Sequence, residues 1–458
     1  NIGVGFCTYM AGSTGSHNVA MGTYALRAHT SGAHNIGIGY NAVCGQTTGS
    51  CNIGIGVNAL KNTGSNNTAI GANALSVATG GANTAIGFNS GCAISSGTFN
   101  VAVGPYAQQG LTTGDYNIGI GYQAQGSAVT NNYNVAIGYR SQYAMTSGQC
   151  NVAVGHHANR NLTTGNYNTA IGTEALYSTN TGACVTGLGA FALRTNTTGT
   201  DNTAVGYTTL YSNSTGTHNS ALGTAALYAN TTGANNTAMG VFALRHNTTA
   251  SQNTAMGRRA LECNTTGAYN VAYGMHAGRC NCTGSYNTSI GTCAFQGGST
   301  VNANYNSYIG FASGYSTTSG SANVGIGYKA LFTNQSGSHN VALGYETLCT
   351  LSTGTHNQAM GYHALRRVTS GSHNVGIGYA SACNVTTGSS NIGLGYFALC
   401  ATTGSTNIGI GQLAGSGISG PSQNIAIGCQ TMATSSDSSA CQNIAIGNQA
   451  LYSNFCGF

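Results

Sequence analysis

The sequence predicts an all-β fold: a parallel β-solenoid, or β-roll, of about 27 coils. Three observations predict it. A five-residue motif returns every 17 positions, a glycine closes that motif in every copy, and charge is almost missing. Of 458 residues, 71 are Gly, 2 are Pro, none is Trp and 4% are charged, whereas an ordinary soluble domain is about 25% charged.

The motif reads Asn, β-branched, small, aliphatic, Gly, as in Asn18-Val19-Ala20-Met21-Gly22. It occurs 27 times, and 21 of the 26 intervals are 17 residues. The rest run from 15 to 19, with the longest closing at Asn306 and Asn443, where an extra loop is expected to bulge. Asn holds the first place in every copy except at Val185. The third place is Ala, Gly or Ser except at Tyr308, and the fourth is aliphatic except at Tyr273. Such alternation predicts a short strand.

A second apolar pair follows, commonly Ala-Leu as in Ala59-Leu60 and Ala226-Leu227, and then a turn such as Asn196-Thr197-Thr198-Gly199. Two short strands and two turns per coil are therefore expected. A 17-residue unit cannot bury a core alone, but stacking at about 4.8 Å places like residues in ladders. The whole of 1–458 reads as one continuous array. Because residue 1 is itself a motif Asn, the array is expected to be a segment of a longer chain.

The repeat leaves one orientation open. With positions 2 and 4 of the motif inward, the Asn and Ala/Gly ladders lie outside. With those positions outward, an Ile/Val stripe is exposed and calls for a partner. Either arrangement leaves room for self-association into a homo-oligomer or filament.

The run Asn-Thr-Ala-Ile-Gly-x-x-Ala-Leu, at Asn67–Leu75 and Asn168–Leu176, resembles the head repeats of trimeric autotransporter adhesins and related repeats of phage and viral tail fibres. The resemblance spans the whole chain. It implies a left-handed parallel β-roll, often trimeric, that forms a fibre or an adhesive head rather than an enzyme.

Chemistry is thinly supplied. Six acidic residues are scattered over the chain, so no local carboxylate pair offers acid/base catalysis. The 12 basic residues form no run longer than Arg258-Arg259 or Arg366-Arg367, which argues against a nucleic-acid partner. No paired C-x-x-C spacing points to zinc, no cofactor motif stands out from the repeat turns, and no apolar stretch is long enough to span a membrane.

Sequons at Asn196, Asn213, Asn230, Asn247, Asn264 and Asn281 fall 17 residues apart in consecutive coils. Together with Asn161, Asn334 and Asn384 they are candidate N-glycosylation sites, the six forming a row along one edge. Cys263 with Cys280, and Cys383 with Cys400, share a register in adjacent coils, inside disulfide reach. Glycans and disulfides would place the chain outside the cell or on a virion or cell surface.

Tyr328, Tyr345, Tyr362, Tyr379 and Tyr396 follow the motif Gly in five consecutive coils. This ladder would either stack on sugar rings or stabilise the coil edge. The expected function is a non-enzymatic, glycosylated, self-associating extracellular fibre. The alternative is an adhesin or receptor-binding fibre that recognises surface carbohydrate. A remote alternative is ice binding through Thr-Thr pairs such as Thr112-Thr113 and Thr163-Thr164.

Overall fold

Every copy of the motif forms one three-residue strand, from β1 (Ile2–Val4) to β14 (Ser220–Leu222) and from β15 (Thr237–Met239) to β27 (Ile444–Ile446). The computed structural model describes residues 1–8, 14–62, 64–298, 301–418, 420, 423–433 and 441–452. Two compact units divide the chain, Asn1–Thr232 with β1–β14 and Gly233–Phe458 with β15–β27. Within each unit, each strand pairs in parallel and in register with the next. Val19 lies opposite Ile36 in the first unit, and Val324 opposite Val341 in the second. No helix occurs among the described residues. The chain is a parallel β-solenoid.

Counting the motif Asn as position 1, the middle of each strand (position 3) points inward and its neighbours point outward. The burial pattern of Val135–Ile137 is typical: half-buried, buried, exposed. The orientation left open by the repeat is thereby fixed: positions 2 and 4 face out. The core is closed by the Ala-Leu pair at positions 8 and 9 and by position 12. Ala153, Ala158 and Leu162 are fully buried. Each interior leucine stabilises the stack by roughly 1.5–3 kcal/mol.

Position 3 must be small because it meets position 9. A Cβ added at Gly37 would lie 3.3 Å from Leu26 Cγ. Tyr308 shows the compensation. Its buried ring occupies the space left by Gly314, which stands where most coils carry leucine, and by Gly325 in the next coil. Its hydroxyl is 3.0 Å from Thr317 Oγ1, and its ring lies 5.3 Å from Phe295.

The expected second strand does not form. Leu26 and Leu60 have φ of 51° and 52°, and Asn41 and Asn58 at position 7 have 56° and 54°. Two left-handed residues so close together curl the chain into a turn instead of extending it. The inter-coil bonds persist through the turn: Leu26 N–H donates to Ala42 O at 3.0 Å.

The motif Asn is the main polar tie between coils. Asn357 donates its backbone N–H to Asn340 Oδ1 (2.9 Å) and its Nδ2–H to the same oxygen (3.1 Å) and to Gly371 O (2.9 Å). The side chain is fully buried, so its amide is satisfied by the coil on either side.

Candidate functional site

Three outward surfaces follow from this coil, each with its own chemistry. The first is the strand face. Positions 2 and 4 carry no charged residue in any copy. Position 4 is broadly exposed in both units, for example Leu188 and Leu222 in the first and Ile326, Met360 and Ile377 in the second. The result in each unit is a file of aliphatic side chains beside a file of mostly Thr, Val and Ile, on in-register parallel strands.

The second surface flanks the buried Ala-Leu pair, at positions 6, 7, 10 and 11. All 12 Lys and Arg residues stand at these positions. In the first unit they are Arg27, Lys61, Arg140, Arg160 and Arg194, and none is buried. Three carboxylates share the edge and each is paired with an arginine: Glu174 with Arg194 Nε (2.6 Å), Glu262 with Arg279 Nε (2.9 Å) and Glu346 with Arg366 Nη2 (2.8 Å). The cations have no run in the sequence because the 17-residue period spreads them out, while stacking gathers them on one edge.

Aromatic rings share this edge. Tyr328, Tyr345, Tyr362, Tyr379 and Tyr396 form the expected ladder, with centroid spacings of 4.9, 5.0, 5.0 and 5.3 Å and interplanar angles of 23° or less. Face-to-face stacking covers each ring by its neighbours, so the ladder presents edges and hydroxyls outward. A sugar ring needs an open aromatic face, and the interior rungs offer none.

The third surface is the polar turn. Here Thr112 Oγ1 donates to Val129 O (2.7 Å) and Thr163 Oγ1 to Asn180 O (2.9 Å). The first hydroxyl of each pair thus donates to the next coil.

The glycan row is corrected. Asn196, Asn213, Asn230, Asn247, Asn264, Asn281 and Asn334 are fully buried at position 12. Asn213 Nδ2 donates to Asn196 Oδ1 at 2.8 Å and to Gly216 O at 3.0 Å, and Asn264 repeats the pattern with Asn247 and Gly267. These amides face inward and are hydrogen-bonded, so a folded coil leaves no room for a glycan on them. A signal for this lay in the sequence: the same register carries Ile94, Leu111, Met145, Leu162, Leu351 and Val368 in other coils, residues that a solvated turn would not hold. Asn161 and Asn384 occupy position 11 and are half-buried at the surface.

The cysteine pairs are brought together. Cys383 Sγ and Cys400 Sγ lie 2.9 Å apart as thiols, and the Cys263 and Cys280 thiols hydrogen-bond to each other. In each pair one thiol, Cys383 and Cys280, is drawn down to about 7 by the hydrogen bond from its partner, which outweighs desolvation.

Among the described residues one group has donor atoms close enough for a metal ion: His156, His157 and Glu174, within 4.8 Å of one another. The surrounding charge opposes a cation. Arg194 already holds the Glu174 carboxylate, and burial together with His156, Arg160 and Arg140 keeps the His157 imidazole below its usual range. The cluster reads as part of the basic edge.

The fold and these surfaces define a repeat protein of the β-solenoid class. Compared with known proteins, the chain matches no protein-family model and no curated protein at a significant level. No helix of the described residues is long and apolar enough to cross a membrane.

Proposed function

We propose that this chain is a non-enzymatic structural fibre protein that associates with copies of itself through the strand face. The observation that carries the reading is the outward aliphatic file at position 4, beside an uncharged file at position 2. Monomeric proteins avoid contiguous apolar surfaces of this kind, and a second copy offers a matching surface with the same repeat. The interior amide ladders suit a mechanical role, since within each unit they hydrogen-bond successive coils to one another.

We place the fibre in an oxidising, extracellular or surface setting. The apposed pairs Cys263/Cys280 and Cys383/Cys400 support that placement, and of the nine candidate sequons Asn161 and Asn384 are the two where a glycan would fit. A likeness to trimeric adhesin heads rests on the motif Asn-Thr-Ala-Ile-Gly-x-x-Ala-Leu. The adhesin reading draws its support from the basic edge instead of the tyrosine faces.

Electron microscopy of the native protein tests the proposal. Filaments or laterally bundled rods are expected, and separate single particles at every concentration would overturn it.

A further inference from the structure

We propose that the basic edge binds an anionic polysaccharide, one whose carboxylate or sulfate groups are set apart along the chain. Every cation of the protein sits on one side of the coil, five against the single carboxylate Glu174 in the first unit and seven against Glu262 and Glu346 in the second. The strand face carries no charge at all. A structural edge needs no such bias of sign, and an anionic partner does.

The geometry in the first unit goes further. Position 10 alternates Tyr143, Arg160, Tyr177, Arg194, Tyr211. The Arg160 guanidinium lies 5.9 Å from the Tyr143 ring and 5.6 Å from that of Tyr177, and Arg194 lies 5.3 Å from Tyr177 and 5.7 Å from Tyr211. Each guanidinium is thus sandwiched between two rings and fixed before any ligand arrives. Each is also held by a tyrosine hydroxyl, Arg160 Nη1 donating to Tyr177 at 2.8 Å and Arg194 Nη1 to Tyr211 at 3.2 Å, and a planar guanidinium held this way suits carboxylate or sulfate oxygens. Arg160 Nε donates to nothing and is shielded from water. Beside this file lies a shallow concavity lined by Glu174, Phe191, Arg194, Tyr207, Tyr211 and Tyr228.

Spacing selects the polyanion. Arg160 and Arg194 are two coils apart, about 10 Å at the inter-strand spacing. A nucleic-acid strand carries a charge every ~3.4 Å and wants open aromatic faces for its bases. Most of its phosphates would go unmatched here, and the rings are covered. A polysaccharide with one acidic group every second sugar carries its charge at wider intervals.

Binding of the full chain to two anionic polysaccharides with one acidic group per disaccharide, a carboxylate in one and a sulfate in the other, to neutral dextran and to single-stranded DNA, measured at low ionic strength and on salt addition, tests the proposal. Retention on both anionic polysaccharides, lost with salt, is expected, with none on neutral dextran. The double variant Arg160→Gln/Arg194→Gln should weaken binding about tenfold, as two half-exposed charged contacts would. Glu174→Gln should strengthen it by freeing Arg194, whereas an arginine serving only to stack the coils gives no reason for a gain. Thermal melts of each variant check that the coils remain folded. No retention on anionic polysaccharide, an unchanged affinity in both variants, or tighter binding to DNA than to either polysaccharide would overturn the proposal.

Discussion

Asn35 and Asn18 are joined by two hydrogen bonds to one oxygen. The Asn35 backbone N–H reaches Asn18 Oδ1 at 2.8 Å and its Nδ2–H reaches the same atom at 3.1 Å. This relationship recurs along both units and is cut at Val185. There Asn168 Oδ1 still accepts the Val185 N–H at 3.0 Å, but valine has no oxygen to offer Asn202. Val185→Asn should complete the ladder and add about 1 kcal/mol, seen as a raised midpoint in thermal unfolding. The reverse change, Asn340→Val, should destabilise by roughly 1–3 kcal/mol because the partners of that amide are left buried and unpaired.

The interior reading of the sequons separates from the glycan reading by mass. The six-residue row from Asn196 to Asn281 should carry no mass that a glycosidase removes, with any carbohydrate confined to surface sequons such as Asn161 and Asn384. Asn213→Ala should cost roughly 1–3 kcal/mol through the orphaned Asn196 and Gly216 oxygens. A surface asparagine would tolerate the change.

Two kinds of glycine should respond differently. Gly240 has φ of +130°, and a Cβ there would lie 2.7 Å from the Gly257 backbone. Gly240→Ala is expected to destabilise by several kcal/mol, since the backbone strain alone is of order 1–3 kcal/mol. Gly278 has φ of +58° and stands at position 9, where other coils hold leucine at a similar angle. Gly278→Ala should cost far less, since only the end of the Leu261 side chain, 3.0 Å from the added Cβ, has to give, and denaturation of the two variants side by side checks the contrast.

Thiol reactivity should follow the pairs. At neutral pH, Cys280 and Cys383, each drawn down to about 7 by its partner, should alkylate ahead of Cys92 and Cys349, whose thiols burial pushes up. Mild oxidation should cross-link Cys383 to Cys400 and Cys263 to Cys280, read by peptide mapping.

Acid should weaken the stack. Burial holds the imidazoles of His157, His276 and His363 below their usual range. As pH falls through the ordinary histidine value of about 6.5, the unfolded chain binds protons that the folded chain refuses. Stability present at neutral pH is then lost, so the melting temperature should drop between about pH 7.5 and pH 5. Replacing the three histidines with Gln should flatten that drop.

Much of the coil was legible in the repeat. The strand lies where Asn-Val-Ala-Met-Gly places it, and the Tyr328–Tyr396 ladder and the cysteine pairs follow from a 17-residue stack. What local pattern could not carry was direction. Asn196 reads as a turn residue from its neighbours Thr197, Thr198 and Gly199, and only its register with Ile94 and Leu111 reveals that it points inward. Ala59-Leu60 reads as a strand by hydrophobicity, yet the left-handed angle at Leu60 is a backbone property that leucine does not advertise. The basic edge forms no run of charge along the sequence because a solenoid assembles its surfaces across coils.

The central claim is that the strand face joins copies of the chain, and sedimentation velocity of the wild type against Ile326→Lys/Ile377→Lys tests it most directly. Both side chains point outward and are about two-fifths exposed, so the coil should remain folded with a nearly unchanged melting temperature. The wild type should sediment as assemblies that grow with concentration, and the charged variant as a single chain. A wild type that stays monomeric throughout, or a variant that assembles as well as the wild type, would contradict the account.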